Sequence, residues 1–179
     1  MERPTETEYA SFYRGYVALV PETDIVGVLG QQVEETRRFL ASVSAERESY
    51  RYSEGKWSIR QVLGHLVDAE RVFGYRAFCF SRGEQASLPS FDENRYVDAA
   101  RSDSVPLRDL VEELAVVRQA NLAFLRRLDA REWAQVGTAS GKPVSVRALA
   151  WIMAGHPRHH LQILRERYGV SMTKAEGGA

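Results

Sequence analysis

The four histidines of the chain stand in two short stretches, and their spacing points to metal chemistry. His65 is alone, whereas His156, His159 and His160 lie within one short stretch. On a helix, residues four apart project from one face, so His156 and His160 could share one ion. Neutral imidazole nitrogens are common ligands of divalent metals. The pair predicts a metal site, and two satisfied core histidines are the alternative.

Their positions on the helix faces strengthen this interpretation. At about 100° per residue, His156 and His160 fall within roughly 20° of Leu149, in the middle of an apolar stripe. His159 lies at the edge of that stripe, and His65 at the border of the stripe on its own helix. A buried polar ring without a partner costs about 1–3 kcal/mol, and two adjacent imidazoles satisfy each other poorly. A bound ion removes this cost.

Two further residues are unusual for buried helix faces. Pro157 follows His156, which excludes the H-E-x-x-H motif with its general-base glutamate. A proline inside a helix removes one hydrogen bond, so it frees the carbonyl of Met153, either as a tolerated kink or as one that shapes the site. Glu70 projects onto an apolar stripe, where a carboxylate needs a partner. It either orients a metal-bound histidine or forms a salt bridge with a buried arginine.

Hydrophobic spacing at three and four residues predicts the four long helices that position these side chains. The second has the clearest start, because Ser58 and Gln61 form a capping box. A Ser145 cap opens the fourth helix, and Gly169 ends it. The predicted helices cover residues 24–43, 59–81, 107–128 and 146–168. A short helical segment at 9–20 precedes them, residues 83–104 form a long irregular connection with a helical turn at 96–100, and a turn lies at 141–143.

This pattern predicts an all-α protein, a four-helix bundle in one domain. The domain spans residues 1–179, with a core at about 20–170 and a disordered tail at 171–179. Lys and Arg total 24 and Asp and Glu total 24, so zero net charge argues against a nucleic-acid-binding surface. One cysteine excludes a disulfide framework, and no apolar run is long enough for a membrane span or a signal peptide. We expect a soluble cytoplasmic protein.

Three segments resemble those of DinB-like (DinB/YfiT-type) proteins. The second helix of that family is similar to KWSIRQVLGHLVDAE at residues 56–70. Its last bundle helix is similar to AGHPRHHLQILRERY at residues 154–168, and a connection found in many members is similar to LPSFDENRYV at residues 88–97. The likeness covers about residues 20–170.

The resemblance implies one divalent metal, zinc or nickel, bound by His65, His156 and His160, with water at the remaining positions. His159 is not a ligand in this mapping. Members are often homodimers, so a homodimer is expected. Some members transfer low-molecular-weight thiols such as bacillithiol or mycothiol, some isomerise with a thiol cofactor, and many have no known activity.

The catalytic residues stay unknown at this stage, because water activated by the metal or a metal-bound thiolate could be the reacting group. Asp92 and Glu93 on the long connection could reach the site, or either could be an ordinary loop carboxylate or a helix cap. Arg76 and Arg158 could bind an anionic substrate, or be solvated helix-face residues. Cys79 points away from the histidines, towards a dimer contact.

Three functions remain open. The first is a metal-dependent hydrolase or small-thiol S-transferase acting on a small molecule. The second is a non-catalytic metal-binding stress or detoxification protein, and the third is a dimeric interaction module with a vestigial site.

Overall fold

The computed structural model of the chain describes residues 1–171, and these form a helical bundle with one small hairpin. The predicted disordered tail falls, from residue 172 on, outside the described residues. In chain order the elements are α1 (Arg14–Ala18), α2 (Ile25–Leu40), α3 (Ile59–Ser81), α4 (Glu93–Ala100), α5 (Leu107–Leu125), α6 (Ala130–Trp133), β1 (Val136–Ala139), β2 (Lys142–Ser145) and α7 (Val146–Tyr168). Helices α2, α3, α5 and α7 are the four long ones, which confirms the predicted four-helix bundle. The single domain stays a prediction.

Local capping signals place the ends of α3 and α7 where the sequence predicts them. Ser58 Oγ accepts a hydrogen bond from the Gln61 backbone N–H at 3.0 Å, and Gln61 Oε1 accepts one from the Ser58 N–H at 3.0 Å. Ser145 Oγ caps α7 in the same way, and Gly169 ends it with a φ of 65°. The C-terminal ends of α2 and α5 come three residues earlier than predicted, at Leu40 and Leu125.

The core consists of two apolar clusters with a layer of buried polar side chains between them. One cluster joins the N-terminal half of α2 to the second half of α3 and the first half of α7; the other joins the opposite halves of these helices. The polar layer has members on all four long helices: Gln32, Thr36, His65, Glu70, Arg118, Asn121, His156 and His160. Buried polar groups are costly unless they are paired, so this layer marks the part of the bundle built for something other than packing.

A β-hairpin between α6 and α7 is the main departure from the sequence-based expectation. Strands β1 and β2 pair antiparallel, with Ala139 opposite Lys142. The turn residues Ser140 and Gly141 have φ values of 53° and 71°, so the tight turn begins one residue before the predicted one. Leu88, in the long connection, bonds to the end of β1: its N–H donates to the Thr138 carbonyl, and its carbonyl accepts from the Ser140 N–H. The hairpin therefore anchors the middle of the connection.

The long connection is also more ordered than predicted. Helix α4 spans Glu93–Ala100 rather than one turn at 96–100, because Asp92 caps it three residues earlier. Within residues 1–171, no helix combines the length and the apolar character that crossing a membrane requires.

Candidate metal centre

Three histidine rings from α3 and α7 meet in the middle of the bundle. Nε2 of His65 lies 2.9 Å from Nε2 of His156, and Nε2 of His160 lies 3.1 Å from the same atom. Possible ligand atoms of all three side chains lie within 4.8 Å of one another. The three residues are 4%, 5% and 9% exposed, so the cluster is nearly closed to bulk water. The structure thus brings together the residues singled out from the sequence, and their role as ligands stays a prediction.

Hydrogen bonding among the three rings cannot satisfy them. A neutral imidazole nitrogen carries either one N–H or one lone pair, so His156 Nε2 can make one good bond to one neighbour. The other neighbour then faces a nitrogen that is already used. A single cation contacts all three lone pairs, and nitrogens held at about 2.0–2.1 Å from one ion lie roughly 3 Å apart. The donor set and its spacing fit one divalent ion.

Burial keeps the three rings neutral, which is the form that binds a metal. Burial lowers the pKa of His65 from 6.5 to about 4. Burial, followed by the neighbouring rings, lowers the pKa of His160 to about 3. The pKa of His156 is also well below its usual value, through burial and then through the neighbouring rings and Arg118. At pH 7 no proton has to leave these rings before an ion can bind.

Aromatic side chains surround the imidazoles. The ring of Trp57, just before the α3 cap, lies 4.9 Å from the His65 ring. The rings of Tyr16 on α1 and Phe73 on α3 lie 5.2 and 5.8 Å from the His156 ring. All three contacts are edge-on or tilted, as aromatic pairs prefer. This wall limits rotation of the imidazoles and excludes water from them.

A glycine allows the N-terminal segment to form part of that wall. A Cβ at Gly155, one residue before His156, would lie 2.0 Å from the backbone oxygen of Tyr16. Only a residue without a side chain lets α1 approach α7 this closely. Sequence reasoning did not single out Tyr16 or Trp57, because contacts between distant segments leave no periodic signal. The one feature of the sequence that indicated close packing against α7 was Gly155, a glycine next to the candidate ligand His156.

A buried arginine compensates for the proline in α7. Pro157 has no N–H, so the Met153 carbonyl loses its partner one turn later. Arg118 Nη2 on α5 donates to that carbonyl at 3.1 Å. Gln32 Nε2 on α2 donates to the next carbonyl, that of Ala154, at 2.7 Å. These two carbonyls lie three and two residues before His156. Their hydrogen bonds to Arg118 and Gln32 favour the alternative in which the proline shapes the site over that of a tolerated kink.

Glu70 is the counter-ion of this arginine. Its carboxylate accepts bonds from Arg118 Nε at 2.7 Å and Nη2 at 2.9 Å, and from Asn121 Nδ2 at 2.8 Å. Both side chains of the pair are 2% exposed. Of the two alternatives for Glu70, the salt bridge to a buried arginine is therefore confirmed. Glu70 acts on the histidines indirectly, because it holds Arg118, which in turn donates a hydrogen bond to the Met153 carbonyl near His156.

Comparison with known proteins identifies the family. The model of the DinB superfamily matches residues 29–164, which include all four long helices at least in part. The chain belongs to the DinB superfamily. A protein of Oceanobacillus iheyensis, named as a candidate metal-dependent hydrolase, is 27% identical over 123 residues, which cover 67% of this chain and 69% of that protein.

Solved structures of other proteins share the DinB fold. YfiT from Bacillus subtilis, described as a probable metal-dependent hydrolase with an unusual four-helix bundle topology, superposes with a TM-score of 0.74 at 17% identity and covers 95% of both chains. A mycothiol-dependent maleylpyruvate isomerase superposes with a TM-score of 0.65 at 14% identity, over 88% of this chain and 64% of that one. At these identities the likeness shows the fold alone.

The two carboxylates of the connection, Asp92 and Glu93, have different surroundings. Asp92 caps α4 by accepting bonds from the N–H groups of Asn94 and Arg95 at 3.0 and 3.1 Å, as one alternative predicted. Glu93 is exposed, and after burial its charge is the next cause of the raised pKa of Tyr16.

The two candidate arginines do not join the histidines. Arg158 forms a bidentate salt bridge with Glu22 at 2.7–2.8 Å. Arg76 is 3% exposed, and its Nη2 donates to the Pro89 carbonyl at 2.7 Å. The alternative of a solvated helix-face arginine is therefore wrong for Arg76. Cys79 is half-buried at the margin of one apolar cluster, away from the histidines as predicted.

Proposed function

We propose that His65, His156 and His160 bind one divalent transition-metal ion. The observation that carries the proposal is the convergence of three neutral Nε2 atoms at 2.9 and 3.1 Å around a point where hydrogen bonding cannot satisfy them. Three imidazoles are the ligand number of catalytic rather than closed structural zinc sites, because one or more positions stay open. Imidazole suits both zinc and nickel, so the experiment has to identify the metal.

We further propose that the chain is a metal-dependent enzyme acting on a small molecule, as a hydrolase or a small-thiol S-transferase. A bound ion would supply Lewis acidity towards water or a thiol sulfur. The residues of the chain supply the rest: Trp57, Tyr16 and Phe73 keep bulk water out and hold the imidazole planes. Arg118 fixes the backbone that carries His156. The names of the Oceanobacillus and Bacillus proteins support hydrolysis, and the mycothiol-dependent neighbour supports thiol chemistry.

Elemental analysis of the purified protein tests the metal site. We expect about one ion per chain in the parent protein, and loss of that ion in the His65→Ala and His156→Ala variants. His159→Ala is the matched control, because His159 neighbours His160 on α7 but lies outside the cluster of possible ligand atoms. Full metal content in His65→Ala and His156→Ala would overturn the assignment, as would loss of metal from His159→Ala alone.

Turnover measurements separate an enzyme from a metal-binding protein without catalysis. Monochlorobimane with a panel of low-molecular-weight thiols reports S-transfer, and a panel of esters and amides reports hydrolysis. Activity that is lost with the ion and restored with it supports the enzyme. The low exposure of the three histidines favours the second candidate, a protein that sequesters its ion. Full metal content with no turnover on either panel would support that candidate.

The homodimer remains part of the proposal. Tyr75 and Phe78 on α3 are 59% and 46% exposed, and Val116 on α5 is 69% exposed. A contiguous exposed apolar patch marks an interface with another protein, and these residues of α3 and α5 are the candidates for one. Light scattering during size-exclusion chromatography should give twice the chain mass of 20.3 kDa, and charged substitutions at these positions should halve it.

A further inference from the structure

A pocket apart from the histidine cluster lies beside the hairpin, towards the C-terminal end of α3. It has a volume of about 310 Å³. Its wall combines aromatic and aliphatic side chains with two cations, and no acidic residue lines it. The lining side chains include Phe12, Tyr13, Arg76, Lys142, Val144 and Leu149. Small-molecule sites commonly have this composition, an apolar wall with a few placed polar groups.

Arg76 is the unusual member of this wall, because it is a buried cation without a carboxylate partner. It is 3% exposed and forms no salt bridge with any residue in 1–171. Its Nη2 donates to the Pro89 carbonyl at 2.7 Å and to Ser140 Oγ at 3.1 Å. Its Nε and Nη1 atoms, which carry three of the five N–H groups of a guanidinium, make no hydrogen bond to a described residue. Burying a charge without a counter-ion is costly, and an anion in the pocket would remove that cost.

The surroundings hold this guanidinium in place. The Phe91 ring lies 5.9 Å from the Arg76 Cζ atom and covers the guanidinium. Ser140, which accepts one of its bonds, sits in the tight hairpin turn that the connection also holds. The arginine is therefore oriented before a ligand arrives, which lowers the entropic cost of binding. Lys142, the first residue of β2, is exposed and makes no ion pair with a described residue.

The pocket is separate from the histidine cluster. The Tyr13 ring, which lines the pocket, lies 6.0 Å from the Phe73 ring, and Phe73 lies 5.8 Å from the His156 ring. These two rings stand between the sites. Along α3, Arg76 comes eleven residues after His65, which corresponds to about 16 Å at 1.5 Å per residue. A ligand in the pocket does not need the metal in order to bind.

We propose that this pocket binds a small organic anion, a carboxylate or sulfonate carried on a ring-sized apolar body. The anionic group bonds to the free N–H groups of Arg76 and is attracted by Lys142. The body packs against Phe12 and Tyr13, of which Phe12 is 71% exposed and so available to cover a ligand. A charge-assisted hydrogen bond in a buried setting provides the selectivity for an anion over a neutral molecule of the same shape.

A matched pair of fluorescent probes tests this proposal. 8-Anilinonaphthalene-1-sulfonate carries an anion on two aromatic groups, and N-phenyl-1-naphthylamine is the same molecule without the sulfonate. Titration of the full chain with each probe gives the affinity for the anion and for the neutral body. The variants are Arg76→Met and Lys142→Glu, and the control is Arg71→Met, which removes an exposed arginine from the same helix.

We expect saturable binding of one sulfonate probe per chain, weakened about tenfold to a hundredfold by Arg76→Met. Lys142→Glu should weaken it about threefold to tenfold at low salt, because Lys142 is exposed and its charge is screened. The neutral probe should bind all variants alike, and Arg71→Met should bind like the parent protein. If circular dichroism shows that Arg76→Met does not fold, Lys142→Glu decides. Unchanged affinity for the sulfonate in the folded variants, or no saturable binding, would overturn the proposal.

Discussion

Replacing Glu70 by glutamine should destabilise the bundle strongly, although the change removes only one charge. Arg118 is 1% exposed, and its fork bonds to both Glu70 oxygens at 2.7 and 2.9 Å. In the Glu70→Gln variant an amide N–H₂ replaces one of these oxygens and faces a donor. Breaking a buried ion pair by removing one partner costs about 3–5 kcal/mol. We expect a loss of that size in the free energy of unfolding.

The control lies next to Glu70 and joins the same two helices. Arg71 on α3 pairs with Glu113 on α5 at 2.8 Å, but these side chains are 48% and 44% exposed. Exposed pairs are worth about 0–1 kcal/mol, so Glu113→Gln should change stability by no more than that. Urea unfolding of metal-free protein, followed by circular dichroism, measures both variants without a contribution from bound ion. A loss below about 1 kcal/mol for Glu70→Gln would refute the reasoning.

Removing both charges at once should not restore stability, and this separates Arg118 from an ordinary buried ion pair. Buried pairs can often be replaced by apolar side chains at no cost. Arg118, however, also donates to the carbonyls of Leu29 and Met153, at 3.1 Å in each case. In the double variant Glu70→Leu with Arg118→Met, these carbonyls lose their donor, and each unsatisfied group costs about 1–3 kcal/mol. Full recovery of stability in the double variant would contradict the role assigned to Arg118.

Three further predictions concern the histidine cluster and its wall. Gly155→Ala should cost about 1–3 kcal/mol and loosen Tyr16 from His156, because the new Cβ meets backbone at 2.0 Å. Thermal melts and limited proteolysis test this, with Gly15→Ala, whose Cβ would meet nothing within 4 Å, as the control. In metal-free protein, the pKa values of about 4 for His65 and about 3 for His160 lie below the unfolded value of 6.5, so the unfolded chain takes up protons first as pH falls. The stability that the neutral rings contribute is therefore fully present above about pH 6.5 and is lost as the pH falls towards 3–4. At pH 5 the free energy of unfolding should be lower by about 2 kcal/mol per ring, and equal urea midpoints at pH 7 and pH 5 would disprove this. Adding metal at a hundredfold excess over its dissociation constant should raise the free energy of unfolding by about 2.7 kcal/mol, and an unshifted melting temperature would count against binding to the native state.

The parts of the fold that could be predicted are those with local signals. Ser58 with Gln61 and Ser145 with Gly169 mark helix ends because capping bonds join residues three or four apart. The faces of His156 and His160 follow from helical periodicity alone. These signals are sufficient to recognise four helices and to place the histidines on buried stripes.

What could not be predicted depends on pairing between distant segments. The hairpin has strands of four residues, and Pro143 in β2 obscures its alternation. The partner of Glu70 is Arg118 on α5, 48 residues away. In the sequence this arginine appears only as a polar residue within the apolar face of its helix, so nothing marks it as buried or paired. Trp57 and Tyr16 likewise reach the histidines only after the helices have packed. Helical periodicity therefore identified the pair His156 and His160, the resemblance to DinB-like proteins added His65, and most of what holds the three side chains was missed.

The arrangement of the core bears on whether the proposed ion is needed for folding. Two apolar clusters, one on each side of the polar layer, hold the helices together without the histidines. Within the layer, Glu70, Arg118, Gln32 and Asn121 satisfy one another and the carbonyls around Pro157. Only His65, His156 and His160 in that layer lack a mutually satisfying set of bonds. Since the polar network and the apolar clusters do not depend on an ion, metal-free protein should stay folded, and the cost of leaving three imidazoles unsatisfied is better explained by function than by stability.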